Sequence, residues 1–437
     1  MTYAKTPNFR KLTDTLEVYA QLKAEYGAKG VESVLLEAEK ALRAATAKII
    51  KLPIDRAMAQ KEPNDLRAIR ALRPTGPRRL WPAFRPALYA NRLEGALLGR
   101  MAGCNLGAPV EGWPIDGMQA LARETDNDFP PTDYWTYVPQ PAEKRYNISP
   151  REAYTRNKLD GVPVDDDIVY TLLGLLIVEK FGPGFTTADV GKAWLKYLPM
   201  ACTAGEVTLD NRRKEIRANQ AGARKNPYCE WIGADIRADP WGYMAPGWPK
   251  RAAALAYRDA YLSHRRQGIY GEMFFAAAIS AAFAVDDPVT ALKIGLTEIP
   301  RQCALAQAVR WALRVAPRIR NYRQAREAVD RRFKGMPSVH TINNACLTVW
   351  GITIGGTDFT RVIGETVAMG LDNDCTAATA GSIVGAVVGR KGIPARWHRN
   401  FNNTVHSYLI GKKRFAIDNL LQRFTRQARR VWRAAYA

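Results

Sequence analysis

The stretch Val164–Gly182, VDDDIVYTLLGLLIVEKFG, constrains this chain more than any other. Three adjacent carboxylates, Asp165, Asp166 and Asp167, run straight into an apolar segment long enough for about three helical turns. Aspartates cap helix N-termini and complement the positive end of the helix dipole, so taken alone this run is a capping signal. Three like charges at the head of a buried helix are nevertheless costly unless a cation or hydrogen-bond donors sit among them.

A second acidic cluster changes the weighting. Gly370-Leu-Asp372-Asn-Asp374-Cys375-Thr376 also precedes an apolar, small-residue segment with helical character, 377–389. Two distant clusters, each at a helix entrance, can meet around shared ions. Oxygen ligands favour a hard cation, Mg²⁺ with Mn²⁺ or Ca²⁺ as alternatives, over zinc.

Helical spacing dominates the rest, and strand alternation is scarce. Helices are expected over 8–27, 31–52, 252–285, 289–297, 302–316, 321–334, 341–355, 359–369, 377–389 and 413–435, with further starts at Ser149-Pro150 and Thr187. Gly95, Ala96, Gly99, Ala102 and Gly103 recur at three- and four-residue spacing, a face that lets another helix approach very closely. NLGAPVEG then ends that helix and places Glu111 on a loop. Pro63–Pro86 reads as a connector lying over a surface, and 226–247 as an aromatic-rich loop. The expected organisation is an N-terminal helical extension and connector (1–85), docked on a main all-α domain (86–411), and a basic C-terminal helix (412–437).

The 437 residues carry a formal charge of +22, which suits contact with anions, nucleic acid included. The charge is dispersed, however, and no Lys/Arg block interleaves with aromatics, so plain solubilising charge explains it equally well. Six single cysteines without a CxxC pair, and only four histidines, indicate neither a disulfide framework nor a zinc site. The longest apolar run, near Phe274–Val285, is too short to cross a bilayer, and MTYAKTPNFRK lacks the apolar core of a signal peptide. A cytoplasmic protein without membrane contact is expected.

Three motifs in order, GALLGRMAGCNLGAPVEG (95–112), VDDDIVYTLLGL (164–175) and GLDNDCTAATAGSIVGA (370–386), resemble the signatures of the ADP-ribosylglycohydrolases. NPYCEWIGADIRADPWGY, LSHRRQGIYGEMF and HTINNA also look like the longer bacterial members. The resemblance spans roughly residues 60–410. It implies a compact all-α domain with a binuclear Mg²⁺ centre, hydrolysing the bond between the terminal ribose of ADP-ribose and a protein, nucleic-acid or small-molecule acceptor. Carried onto this sequence, it makes Asp165, Asp166, Asp167, Asp372, Asp374 and Thr376 the metal ligands. Glu111 and Asp166 become the candidate catalytic carboxylates, and His264, Tyr270 and Gly271 substrate contacts.

The chain departs from the pattern at four places. Asp165 and Cys375 stand where the family has threonine ligands, Cys104 where many members have Asp, and Asn373 where Thr is usual. A thiol is a poor partner for Mg²⁺, and Thr376 is the neighbouring hydroxyl. His264 reads equally as a satisfied structural histidine. Trp241, Tyr243 and Tyr270 suit either adenine stacking or local packing. Besides a metal-dependent hydrolase, two readings stay open: an ADP-ribose binder that has lost turnover, and a basic nucleic-acid-binding protein whose acidic clusters are helix caps.

Overall fold

The computed structural model describes residues 3, 4 and 6–434; the last three residues of the expected terminal segment, 435–437, lie outside the described residues. The chain divides into two units, 1–60 and 61–437. In the first, helices Phe9–Glu25 and Val31–Ile50 follow the apolar spacing of the sequence, with the Asn8 side chain capping Lys11 N–H at 3.0 Å, and neither helix buries a residue.

The larger unit is all-α. Among the described residues its strands form only two short hairpins, Lys144–Arg145 with Ser149–Pro150 and Thr404–His406 with Arg414–Ala416. Its centre is a pair of helices, Pro86–Gly107 and Asn373–Val388, whose backbones touch. A Cβ on Gly99 would lie 2.3 Å from the Gly381 carbonyl oxygen, and one on Gly103 2.1 Å from that of Ala377. The last of these contacts sets Gly107 against the Cα of Asp374, where a Cβ would come within 2.5 Å. The small-residue face therefore seats the second acidic cluster beside the end of the first helix.

The helix Asp166–Phe181 is buried without interruption from Asp167 to Val178. A helix apolar all round must lie inside the fold. Its first carboxylate, Asp165, caps the helix by accepting from Asp167 N–H at 3.0 Å.

Several local expectations are corrected. Ser149-Pro150 is a strand followed by a 3₁₀ turn, not a helix start. The 252–285 helix breaks into Pro249–Ser263 and Gln267–Ala282 around Arg266, at φ +46°. There the Asn64 side chain takes the Arg266 N–H at 2.7 Å, and the Cys229 carbonyl takes that of Arg265 at 2.9 Å, partners no local pattern reveals. The Pro63–Pro86 connector contains a helix, Leu66–Leu72, capped by Asp65. Ile69 and Trp81 of this segment are buried in the core of the larger unit. Likewise 226–247 holds a 3₁₀ helix, Ile232–Arg237, and a short helix, Asp239–Met244, started by Asp239-Pro240. The terminal helix Ile417–Arg433 buries Leu420, Phe424, Val431 and Trp432 while its arginines stay largely outside.

Candidate active site

Three chain segments deliver carboxylates to one cleft. The helix Pro86–Gly107 runs out through the 3₁₀ turn Ala108–Val110 and leaves Glu111 at the rim. Gly112 N–H donates to the Leu371 carbonyl at 3.0 Å, which ties this loop to the second acidic cluster. Gly370 and Leu371 both have left-handed φ values, +70° and +62°. The second is costly for a bulky residue, and it turns the chain so that Asp372 heads the helix Asn373–Val388. Asp165–Asp167 come from the start of the helix Asp166–Phe181.

Glu111, Asp166, Asp372 and Asp374 line one cavity of about 330 Å³ together with Arg145, Tyr146, Tyr170, Trp231 and Arg237. Arg145 comes from the first short hairpin and reaches across the acidic clusters. Its Nη1 donates to Glu111 Oε2 at 2.9 Å and to the Ala108 carbonyl at 2.8 Å. Its Nη2 donates to Asp165 Oδ2 at 2.9 Å and to Asp374 Oδ2 at 3.1 Å. The Tyr146 hydroxyl donates to Asp166 Oδ1 at 2.8 Å.

Deeper in, Asp167 is fully enclosed and fully bonded. Arg100 Nη2 donates to its Oδ1 at 3.1 Å, and the Cys375 thiol donates to its Oδ2 at 3.1 Å. Arg100 Nη1 also pairs with Asp239 at 2.6 Å, and both partners are buried. Asp372 presents the contrast: its Oδ1 is buried without a hydrogen-bond partner.

Burial first, and the neighbouring Asp165 charge second, push the Asp166 carboxyl up to about 7, with the Tyr146 hydrogen bond opposing them. Burial likewise raises Asp372 and Asp374 above the usual carboxylate range. For Arg145 burial acts against the charge, but Asp165 and Asp374 outweigh it and the guanidinium stays protonated. The Cys375 thiol is pushed well up, by burial and then by Asp167, and so stays neutral.

These donors can be tested against a divalent ion. Oxygens of Glu111, Asp372 and Asp374 lie within 4.8 Å of one another, and Asp372, whose Oδ1 is orphaned, belongs to this group, so it fits a hard cation. The other two acidic groupings include Cys104 or Cys375. Buried neutral thiols are weak ligands for such an ion.

The model of the ADP-ribosylglycohydrolase family matches residues 85–431. The chain belongs to the ADP-ribosylglycohydrolase family. A solved structure described as an "ADP-ribosylglycohydrolase-related protein complex" superposes with a TM-score of 0.52 at 19% identity, covering 79% of this chain and 99% of that one. At that identity the likeness concerns the fold. No curated protein matches the sequence.

Within this ADP-ribosylglycohydrolase domain, Asp165, Asp166, Asp167, Asp372, Asp374 and Glu111 do come together. Thr376 does not join them through its hydroxyl, which turns back to the Asn373 carbonyl at 3.4 Å. His264 lies behind the cavity wall, against Gly233, with Nδ1 bonded to Ser263 Oγ at 2.7 Å. Burial, then Arg237 and Arg265, hold it neutral. Tyr270 and Gly271 are not among the lining residues: the Tyr270 hydroxyl donates to the Pro63 carbonyl, and Gly271 gives room to Asp235 Oδ1, 2.0 Å from where a Cβ would stand. Trp241 and Tyr243 are buried packing residues, Trp241 donating to Glu272 at 2.7 Å.

Sequence reasoning passed over Arg100, Arg145 and Tyr146. Arg100 carried a readable signal, since a lone arginine amid the small residues of GALLGRMAG has to be paired if buried. Arg145 and Tyr146 sit in a loop-like segment whose return to the cleft has no local signature.

Proposed function

We propose that this chain is a metal-dependent ADP-ribosyl-acceptor hydrolase, cleaving the glycosidic bond between the terminal ribose of ADP-ribose and its acceptor. The observation that carries the reading is the convergence of Glu111, Asp166, Asp372 and Asp374 on one cavity from three distant segments. Glu111, Asp372 and Asp374 would hold the divalent ion, Mg²⁺ or Mn²⁺. When bound, such an ion supplies a Lewis acid for ribose hydroxyls and for a water at neutral pH.

Departure of the acceptor leaves an oxocarbenium-like ribose, which a carboxylate-rich cleft stabilises. Asp166, poised near pH 7 and oriented by the Tyr146 hydroxyl, accepts one proton of the attacking water, and the acceptor leaves with that proton, so the water's OH ends on the ribose and its H on the acceptor. Trp231 and Tyr170 offer aromatic faces along the wall for the adenosine end. The helix Thr203–Arg213 has no side-chain cap, and its first turn opens on the cavity, which suits the diphosphate.

The test is release of free ADP-ribose from arginine-, serine- and nucleotide-linked conjugates, with and without EDTA. Release that EDTA abolishes and Mg²⁺ or Mn²⁺ restores is expected; absent or EDTA-resistant release across the panel sinks the reading. One observation favours a second possibility, an ADP-ribose binder without turnover: Asp167 is already saturated by Arg100 and Cys375. Stabilisation by ADP-ribose in a thermal shift, with no release, selects it.

A further inference from the structure

The acidic residues of the cleft do not share their cations evenly. Both oxygens of Asp167 are occupied, by Arg100 and by the Cys375 thiol. Both oxygens of Asp165 are occupied too, Oδ1 by the Asp167 N–H at 3.0 Å and Oδ2 by Arg145. On this side of the cleft each oxygen already carries one of the protein's own donors, and the three-residue groupings that include Asp165 or Asp167 need a buried thiol, a poor ligand for a hard ion. Asp374 is bonded as well, by Arg145 and by the Cys375 N–H at 2.9 Å, which leaves Asp372 as the carboxylate with a buried free oxygen.

Arg145 does more than cap one carboxylate. A single nitrogen, Nη2, bonds Asp165 Oδ2 at 2.9 Å and Asp374 Oδ2 at 3.1 Å, joining the two acidic motifs, while Nη1 holds Glu111 Oε2 at 2.9 Å. The side chain is itself held in place. Its guanidinium carbon lies 5.5 Å from the Tyr146 ring centre and 5.8 Å from that of Tyr154, and Ala108 accepts from it through its carbonyl. The hairpin that carries it is fastened to the same loop again, Arg151 donating to the Pro109 carbonyl. Cations over aromatic faces and at bonded carbonyls are positioned, not roaming.

A guanidinium never loses its proton in a protein and offers charge without an open coordination position. It can therefore neutralise and space carboxylates, but it cannot activate a water as an ion does. Against six carboxylates (Glu111, Asp165, Asp166, Asp167, Asp372, Asp374) stand this one arginine and Arg100, which is shared with Asp239, while Arg237 on the cavity wall is taken up by Asp259 and Glu272. That balance still calls for a further cation. The unbonded Asp372 Oδ1, buried beside Glu111 and Asp374, marks where it would go.

We propose that Arg145 is a built-in cation standing in the place of one of two metal ions, so that the centre takes a single divalent ion, at Glu111–Asp372–Asp374. The proposal rests on the metal reading given above. Titration of the full chain with Mn²⁺, followed by calorimetry, elemental analysis and electron paramagnetic resonance, tests it without reference to turnover. The wild type should bind about one ion per chain with the spectrum of an isolated Mn²⁺. Arg145→Gln should bind about two, with an exchange-coupled spectrum, and Arg145→Lys, which keeps the charge, should bind about one.

Two coupled ions in the wild type would overturn the proposal and leave the metal reading intact. A single ion in Arg145→Gln would also overturn it. No ion in any of the three proteins would remove the metal reading and this proposal with it. Should Arg145→Gln fail to fold, the wild-type stoichiometry and spectrum decide alone.

Discussion

Arg100 at the floor of the cleft and Arg145 at its rim both meet the Asp165–Asp167 run, in different surroundings. Arg100 and its partners Asp167 and Asp239 are wholly enclosed, and every charge there has a bonded counterpart. At the rim Arg145 and Glu111 are partly open, 17% and 40%, above the buried Asp165 and Asp374, and Asp372 keeps an unbonded oxygen. The floor is structural, because its charges are paired with one another and closed off from solvent. An unsaturated rim is where chemistry can enter, so one acidic motif is divided between holding the fold and serving the site.

The largest effect should come from the floor. Arg100→Met leaves Asp167 and Asp239 as uncompensated buried charges, and a loss of about 3–5 kcal/mol in urea unfolding is expected. A loss below about 1 kcal/mol would break the distinction between floor and rim.

The wall behind the cavity supplies a second contrast, through pH. Burial, then Arg266, lowers His340 from 6.5 to about 4. Between those values the unfolded chain binds the extra proton, so this contribution is present above about pH 6.5 and is lost as pH falls toward 4. The loss is on the order of 3 kcal/mol. His340→Asn, which keeps a cap for the Ile342 N–H, should flatten that part of the stability–pH curve. An unchanged slope would show that the imidazole is not held neutral.

At the rim, Asp372→Asn should weaken Mn²⁺ binding by at least about 10–100-fold, the range seen when residues supporting a metal site are changed. Its melting temperature should hold or rise, since one of several crowded negative charges is removed. A stability loss like that of Arg100→Met would place Asp372 with the floor. The smallest effect is expected from Cys375→Ser. The hydroxyl can still donate to Asp167, so stability should change by less than about 1.5 kcal/mol and Mn²⁺ stoichiometry not at all. A changed stoichiometry would make residue 375 a ligand.

Much of this architecture was legible before any coordinates. The three- and four-residue spacing of Gly95, Gly99 and Gly103 announced a close helix contact, and the partner is the equally small Ala377–Gly385 face. Asp165 was readable as a cap, and it caps its helix while also pairing with Arg145. For Thr376, Tyr270 and Gly271 a motif gives only a neighbourhood, whereas side-chain direction depends on what is packed behind it: the Thr376 hydroxyl turns to the Asn373 carbonyl and that of Tyr270 to the Pro63 carbonyl. The break at Arg266 was hidden for a similar reason: Asn64, some two hundred residues away, supplies the bond that ends the helix.

Residue types and their periods, by themselves, determined that this chain builds an all-α domain with two acidic helix entrances and a small-residue helix face. These are properties of turns and faces, set over a few residues. The tertiary structure decided which carboxylate oxygens are consumed and which is left over. That outcome depends on Arg100 and Arg145 arriving from 67 and 20 residues away along the chain to within hydrogen-bonding distance. Directional bonds of about 3 Å are fixed by packing, and no pattern of residue types along the chain encodes them.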